Sequence, residues 1–70
     1  MTYKTVRKSI ISACKKRDFY DIPTEETISD KNCETAYNDY LNSTARSWGW
    51  SFKEFLMNCS ECDLDYYAFK

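Results

Sequence analysis

The side chains in this sequence with chemistry to offer are four cysteines, eleven carboxylates and ten cations. Cys59 and Cys62 stand in the C-x-x-C spacing of a zinc knuckle or a redox pair, and only Cys14 and Cys33 could complete a four-thiolate site. A strong zinc signature has two such pairs, and residues three apart on a helix share a face with or without a metal. Cys14 and Cys33 also fall on apolar stripes, where a thiol packs as a small hydrophobe. Free thiols are therefore expected ahead of a disulfide, a disulfide ahead of zinc, and no cofactor or metal. There is no histidine, which removes the commonest general base and metal ligand. One glycine is too few for a glycine-rich phosphate loop or a nucleophile elbow. A carboxylate pair would need a concave pocket, for which so short a chain has little room, so the sequence is not read as an enzyme.

The charges are sorted along the chain, which matters more than the net value of -1. Residues 1 to 17 hold Lys4, Arg7, Lys8, Lys15, Lys16 and Arg17 with no acid, whereas all eleven acids follow against four cations. Lys4, Lys8, Lys15, Lys16 and Arg17 form a candidate face for phosphate or an acidic partner, unless the acidic remainder neutralises it. Acids also alternate with aromatics, in Asp18-Phe19-Tyr20-Asp21, in Tyr37-Asn38-Asp39-Tyr40 and in Asp63-Leu64-Asp65-Tyr66-Tyr67. Tyrosine offers contact area with a polar tip, and carboxylates steer a basic partner. Asp63, Asp65, Tyr66, Tyr67 and Phe69 are the preferred candidate contact surface, while Tyr37 and Tyr40 are assigned to the core.

The elements that must position these residues are helical. One Gly and one Pro give little turn punctuation for an all-β fold, and two Trp, six Tyr and four Phe supply a core. Thr2 can cap a first helix with Tyr3, Val6, Ile10, Ala13 and Cys14 on its apolar face, fading near Asp18 before the Asp21-Ile22-Pro23 turn. Phe19, Tyr20 and Ile22 are expected to fold back over the core, and Thr24 to start a short helical turn. Ser29 or Asp30 opens a long second helix carrying Cys33, Ala36, Tyr37, Tyr40, Leu41, Thr44, Ala45 and Trp48. Gly49 suits a left-handed cap, Ser51 and Glu54 a capping box, and Trp50 and Phe55 a hydrophobic staple. The third helix buries Phe52, Phe55, Leu56 and Cys59. The reading is all-α, a single domain over residues 1–70: a three-helix bundle at about 2–18, 30–48 and 52–62, with an aromatic C-terminal strap packed on it.

Counted from Leu41, the corner resembles a helix-turn-helix motif, with Ala45 at the small position, Gly49 in the turn, and Trp50 and Phe55 inward. Its second helix offers Lys53 as the only cation beside Glu54 and Glu61, so a DNA-binding regulator ranks second. Small, catalytically empty chains rich in Lys, Asn, Tyr, Ile and Asp resemble accessory proteins of phages and mobile elements. That resemblance implies an inhibitor of host defence, of the anti-CRISPR or anti-restriction kind, acting by binding a protein with a basic surface. No apolar run is long enough for a signal peptide or a membrane span, so the cytoplasm is the expected compartment.

Overall fold

The structure is a computed structural model in which residues 2–70 are described. It is an all-α bundle of five helices among those residues: α1 (Tyr3–Lys16), α2 (Asp30–Leu41), α3 (Thr44–Ser47), α4 (Phe52–Asn58) and α5 (Glu61–Phe69). Each long helix starts where local chemistry dictates. The Thr2 hydroxyl accepts from the Thr5 N–H at 3.2 Å, and that of Ser29 from the Asn32 N–H at 3.1 Å. Lys15 and Lys16 lie in the last turn of α1, where cations offset the helix dipole.

The core is made where these helices meet, with α1 packed against α2, α4 and α5. Val6, Ile10, Ala13 and Cys14 of α1 meet Cys33 and Ala36 of α2, Phe52 and Leu56 of α4, and Leu64, Tyr67 and Ala68 of α5. Ile28, in the loop before α2, is fully buried among them. Beside this core, Tyr37, Tyr40, Phe52 and Phe55 form an aromatic cluster, its closest rings being Tyr37 and Phe52 at 5.4 Å, edge to face.

The corner before α4 forms as its residues require. Gly49 has φ +84°, and the Trp50 and Gly49 N–H groups donate to the Ala45 and Arg46 carbonyls, both at 3.0 Å. Those two bonds make a Schellman cap on α3. Both halves of the Ser51–Glu54 capping box are present. The Tyr40 hydroxyl donates to the Trp50 carbonyl, tying the corner to α2.

Two features differ from the sequence reading. The helix expected over 30–48 is divided at Asn42 and Ser43. Asn42 closes α2, its side-chain amide donating to the Asn38 carbonyl at 2.9 Å, and the Ser43 hydroxyl takes the Tyr40 carbonyl at 2.7 Å. Side chains that bond the preceding turn compete with helix continuation. The helix expected to end at about 62 stops at Asn58, because Cys59 is extended and Ser60 caps a new helix through the Asp63 N–H at 3.1 Å. The aromatic tail does pack on the bundle, in the form of that helix, α5. The short turn expected at Thr24 is present, closed by the Thr27 N–H on the Thr24 carbonyl at 3.1 Å.

Candidate functional site

The acidic and aromatic residues converge where the end of α1 meets α5. The α1 chain reverses through Asp18, whose φ of +58° makes it the one non-glycine residue with positive φ among the described residues. The Phe19 N–H donates to the Cys14 carbonyl at 3.0 Å and that of Asp18 to Lys15 at 3.2 Å, again a Schellman cap, built here without glycine. This turn holds Phe19 half-buried against the core and pushes Tyr20 outward, 100% exposed. The expectation that Phe19, Tyr20 and Ile22 all fold over the core holds for Phe19 alone. Tyr20 lies beyond the turn and stands out in solvent, and Ile22 is also exposed.

Two adjoining depressions follow. Arg17, Asp18, Phe19, Tyr20, Glu61, Cys62 and Asp65 line one of about 400 Å³. Phe19, Tyr20, Asp21, Asp65, Phe69 and Lys70 line the second, about 500 Å³. Phe19, Tyr20 and Asp65 are common to both, so the two form one groove. Asp18, Asp21, Glu61 and Asp65 outnumber Arg17 and Lys70 along it. Its floor is aromatic and its rim anionic, the pairing that suits the stem and head of a lysine or arginine side chain.

The expected contact set is divided by the helical form of α5. Residues 64, 67 and 68 face inward, as i, i+3 and i+4 must. Tyr67 is therefore core, 3% exposed, its hydroxyl donating to Asp39 at 2.6 Å, and it leaves the docking surface. Burial first, then the bond to the Asp39 carboxylate, raise its phenol well above the ordinary range. Tyr66 is exposed on the outer face, Asp63 lies in the exposed first turn, and Asp65 and Phe69 line the groove.

The basic set loses one member. Arg17 Nη1 donates to the Leu56 carbonyl at 2.9 Å and to Cys59 Sγ at 3.7 Å, so its guanidinium closes the C-terminal end of α4 and is not offered to phosphate. Lys4, Lys8, Lys15 and Lys16 are exposed. The one ion pair among the described residues joins Arg7 to Asp30, and Arg7 Nε also donates to the Ile28 carbonyl at 2.9 Å. The acidic remainder thus does not pair with the lysines of α1.

No protein-family model, curated protein or solved structure matches this chain.

The helix-turn-helix resemblance at the corner meets a first helix, α3, of four residues and a second, α4, of seven. Lys53, its one cation, lines a small depression with Ser12 and Lys16 of α1. At the opposite rim of the corner, Trp48 is 68% exposed and rests edge-on against Trp50 at 5.6 Å. The apolar spacing places Trp48 on the stripe of a continuous helix, and the break at Asn42 and Ser43 turns it out of that register.

All four cysteines are free thiols, Cys14 and Cys33 buried, Cys59 half-buried and Cys62 exposed at the groove. Burial pushes the Cys14 thiol up to about 11 and raises Cys33 and Cys59 as well. In native protein at mildly alkaline pH, Cys62 alone is expected to react rapidly with Ellman's reagent, and all four after denaturation. Fast reaction at Cys14 or Cys33 before unfolding would show that the core opens.

Asp18 carries a separate expectation. A left-handed residue with a Cβ costs roughly 1 kcal/mol, so Asp18→Gly is expected to raise stability by about 0.5 kcal/mol after its larger unfolded-state entropy is counted. The measurement is the urea midpoint; a lower midpoint would mean that the Asp18 side chain stabilises its own turn.

Proposed function

We propose that this chain is a non-enzymatic binding protein that uses the groove between residues 17–21 and α5 to engage a basic surface on another protein. One observation carries the reading: a fully exposed tyrosine stands among four carboxylates over an aromatic floor. Exposing a whole tyrosine contributes nothing to folding, whereas tyrosines flanked by steering charges are typical anchors of interfaces. The partner chemistry that fits is a Lys- or Arg-rich patch of the kind that handles nucleic acid. Covering such a patch excludes the polyanion that belongs there. The biological role proposed is accordingly inhibition of a host nucleic-acid-handling or defence protein, as phage or mobile-element factors of the anti-CRISPR and anti-restriction kind do inside the host cell.

The test is parallel affinity capture from host extract with the wild-type chain and a Glu61→Lys/Asp65→Lys variant. A basic-surfaced protein retained by the first and lost from the second is expected. Identical sets of captured proteins would contradict the assignment of the groove.

A further inference from the structure

Ser12 lies at the centre of a lysine cluster that the groove does not use. Lys8, Lys15 and Lys16 stand four residues before it and three and four after it, on its own face of α1. Lys8, Ile11, Ser12, Lys15 and Glu25 line one shallow depression. Ser12 and Lys16 line a second with Lys53 and Met57 of α4, so two helices contribute to one basic seam. Lys4, one turn before Lys8, extends the row to about 18 Å from end to end at 1.5 Å per residue. All five lysines are exposed and none takes part in an ion pair among the described residues. Glu25 is the one acid lining the seam, and it too is unpaired.

We propose that this seam binds the phosphate backbone of nucleic acid, without regard to base sequence. Four ammonium groups along just over three turns of α1 and a fifth on a neighbouring helix are complementary to a polyanion, and the Ser12 hydroxyl is a donor of the kind that contacts phosphate oxygens. Among the described residues that line it, the seam has no aromatic ring on which a base could stack and no amide or guanidinium with which to read a base edge, so it would hold the backbone alone. The acidic groove does not reach the far part of this field. Lys4 and Lys8 are about 21 and 15 Å along α1 from Asp18, beyond the Debye length of about 8 Å at physiological salt, whereas Lys15 and Lys16 are within about 5 Å of it along the axis. The site shares no residue with the groove, so either assignment can fail without the other.

Fluorescence anisotropy of the full chain with a labelled random-sequence duplex tests the proposal, titrated from low to physiological salt. Neutralisation of five phosphates predicts a slope of log affinity against log salt of about -4.5. Lys53→Gln is expected to reduce the size of that slope by about 1. Lys8→Gln/Lys15→Gln/Lys16→Gln/Lys53→Gln is expected to abolish binding with helix content unchanged by circular dichroism, because all four positions are exposed. Tyr20→Ala is expected to bind the duplex as the wild type does. Absence of binding by the wild type at about 50 mM salt, or a quadruple variant that binds as tightly as the wild type, would overturn the proposal.

Discussion

Tyr20→Ala is expected to weaken binding of the basic partner roughly thirtyfold, the loss of about 2 kcal/mol typical of a truncated aromatic anchor, while leaving the melting temperature unchanged. The two halves of that result have separate causes. Tyr20 is wholly exposed, and surface substitutions that remove no packing usually stay within about 0.5 kcal/mol. In a complex the same ring would be enclosed between the partner and the Phe19 floor, surrounded by Asp18, Asp21, Glu61 and Asp65. Isothermal titration against the captured partner and a thermal melt give both numbers. Unchanged affinity would remove Tyr20 from the interface. A lowered melting temperature would show that the ring packs on its own chain.

The second large effect concerns folding. Leu64→Ala is expected to cost about 3.5 kcal/mol, the middle of the range for deleting a fully enclosed leucine, since Leu64 is completely buried in the shared core. A chain of this size has only roughly 4 to 10 kcal/mol of stability in total, so the variant should be close to half unfolded under mild denaturant. The informative control is the neighbouring pair of tyrosines. Tyr66→Ala should change stability by less than about 0.5 kcal/mol, because Tyr66 is 48% exposed. Tyr67→Phe removes a hydroxyl bonded to Asp39 inside the molecule and should cost about 1 kcal/mol. An extended strap would expose alternate residues and bury 64, 66 and 68, giving Tyr66→Ala the larger effect. Urea unfolding of the three variants therefore distinguishes α5 from an extended tail.

Local chemistry made the helix starts legible. Thr2, Ser29 and Ser51 cap as their types and positions suggest, and Gly49 takes the left-handed conformation for which a lone glycine after an apolar run is suited. The apolar stripes of α1 and α4 were legible for the same reason, except that Tyr3 is exposed and Cys59 lies just past the end of α4. The break in the second helix was hidden because apolar spacing runs straight across it, from Tyr40 and Leu41 to Ala45. The warning lay in Asn42-Ser43, two residues whose side chains bond the backbone behind them. At the tail, Ser60 precedes Asp63 by the same three residues as Ser51 precedes Glu54, and the acids Glu61 and Asp63 favour a helix start there. That second cap marks a separate helix, and with it the inward turn of Tyr67.

The site was legible in composition and not in assembly. Asp18-Phe19-Tyr20-Asp21 and the tail both read as acidic and aromatic, yet nothing in spacing says that residues about forty apart share one groove. That juxtaposition follows from α5 being a helix docked on α1, a tertiary fact. Lys53 joined the lysines of α1 in the same way, through packing of α4 that no local pattern encodes. Arg17 left them because its neighbour in space is the exposed end of α4.

The groove is examined most directly by an amide-resolved NMR titration of the full chain with a short Lys/Arg-rich peptide. Shifts concentrated at residues 17–21, 61–62, 65 and 69, growing with peptide and fading with added salt, are the expected result. Shifts centred on the tryptophan corner or on the lysine seam, with residues 17–21 unmoved, would contradict the account.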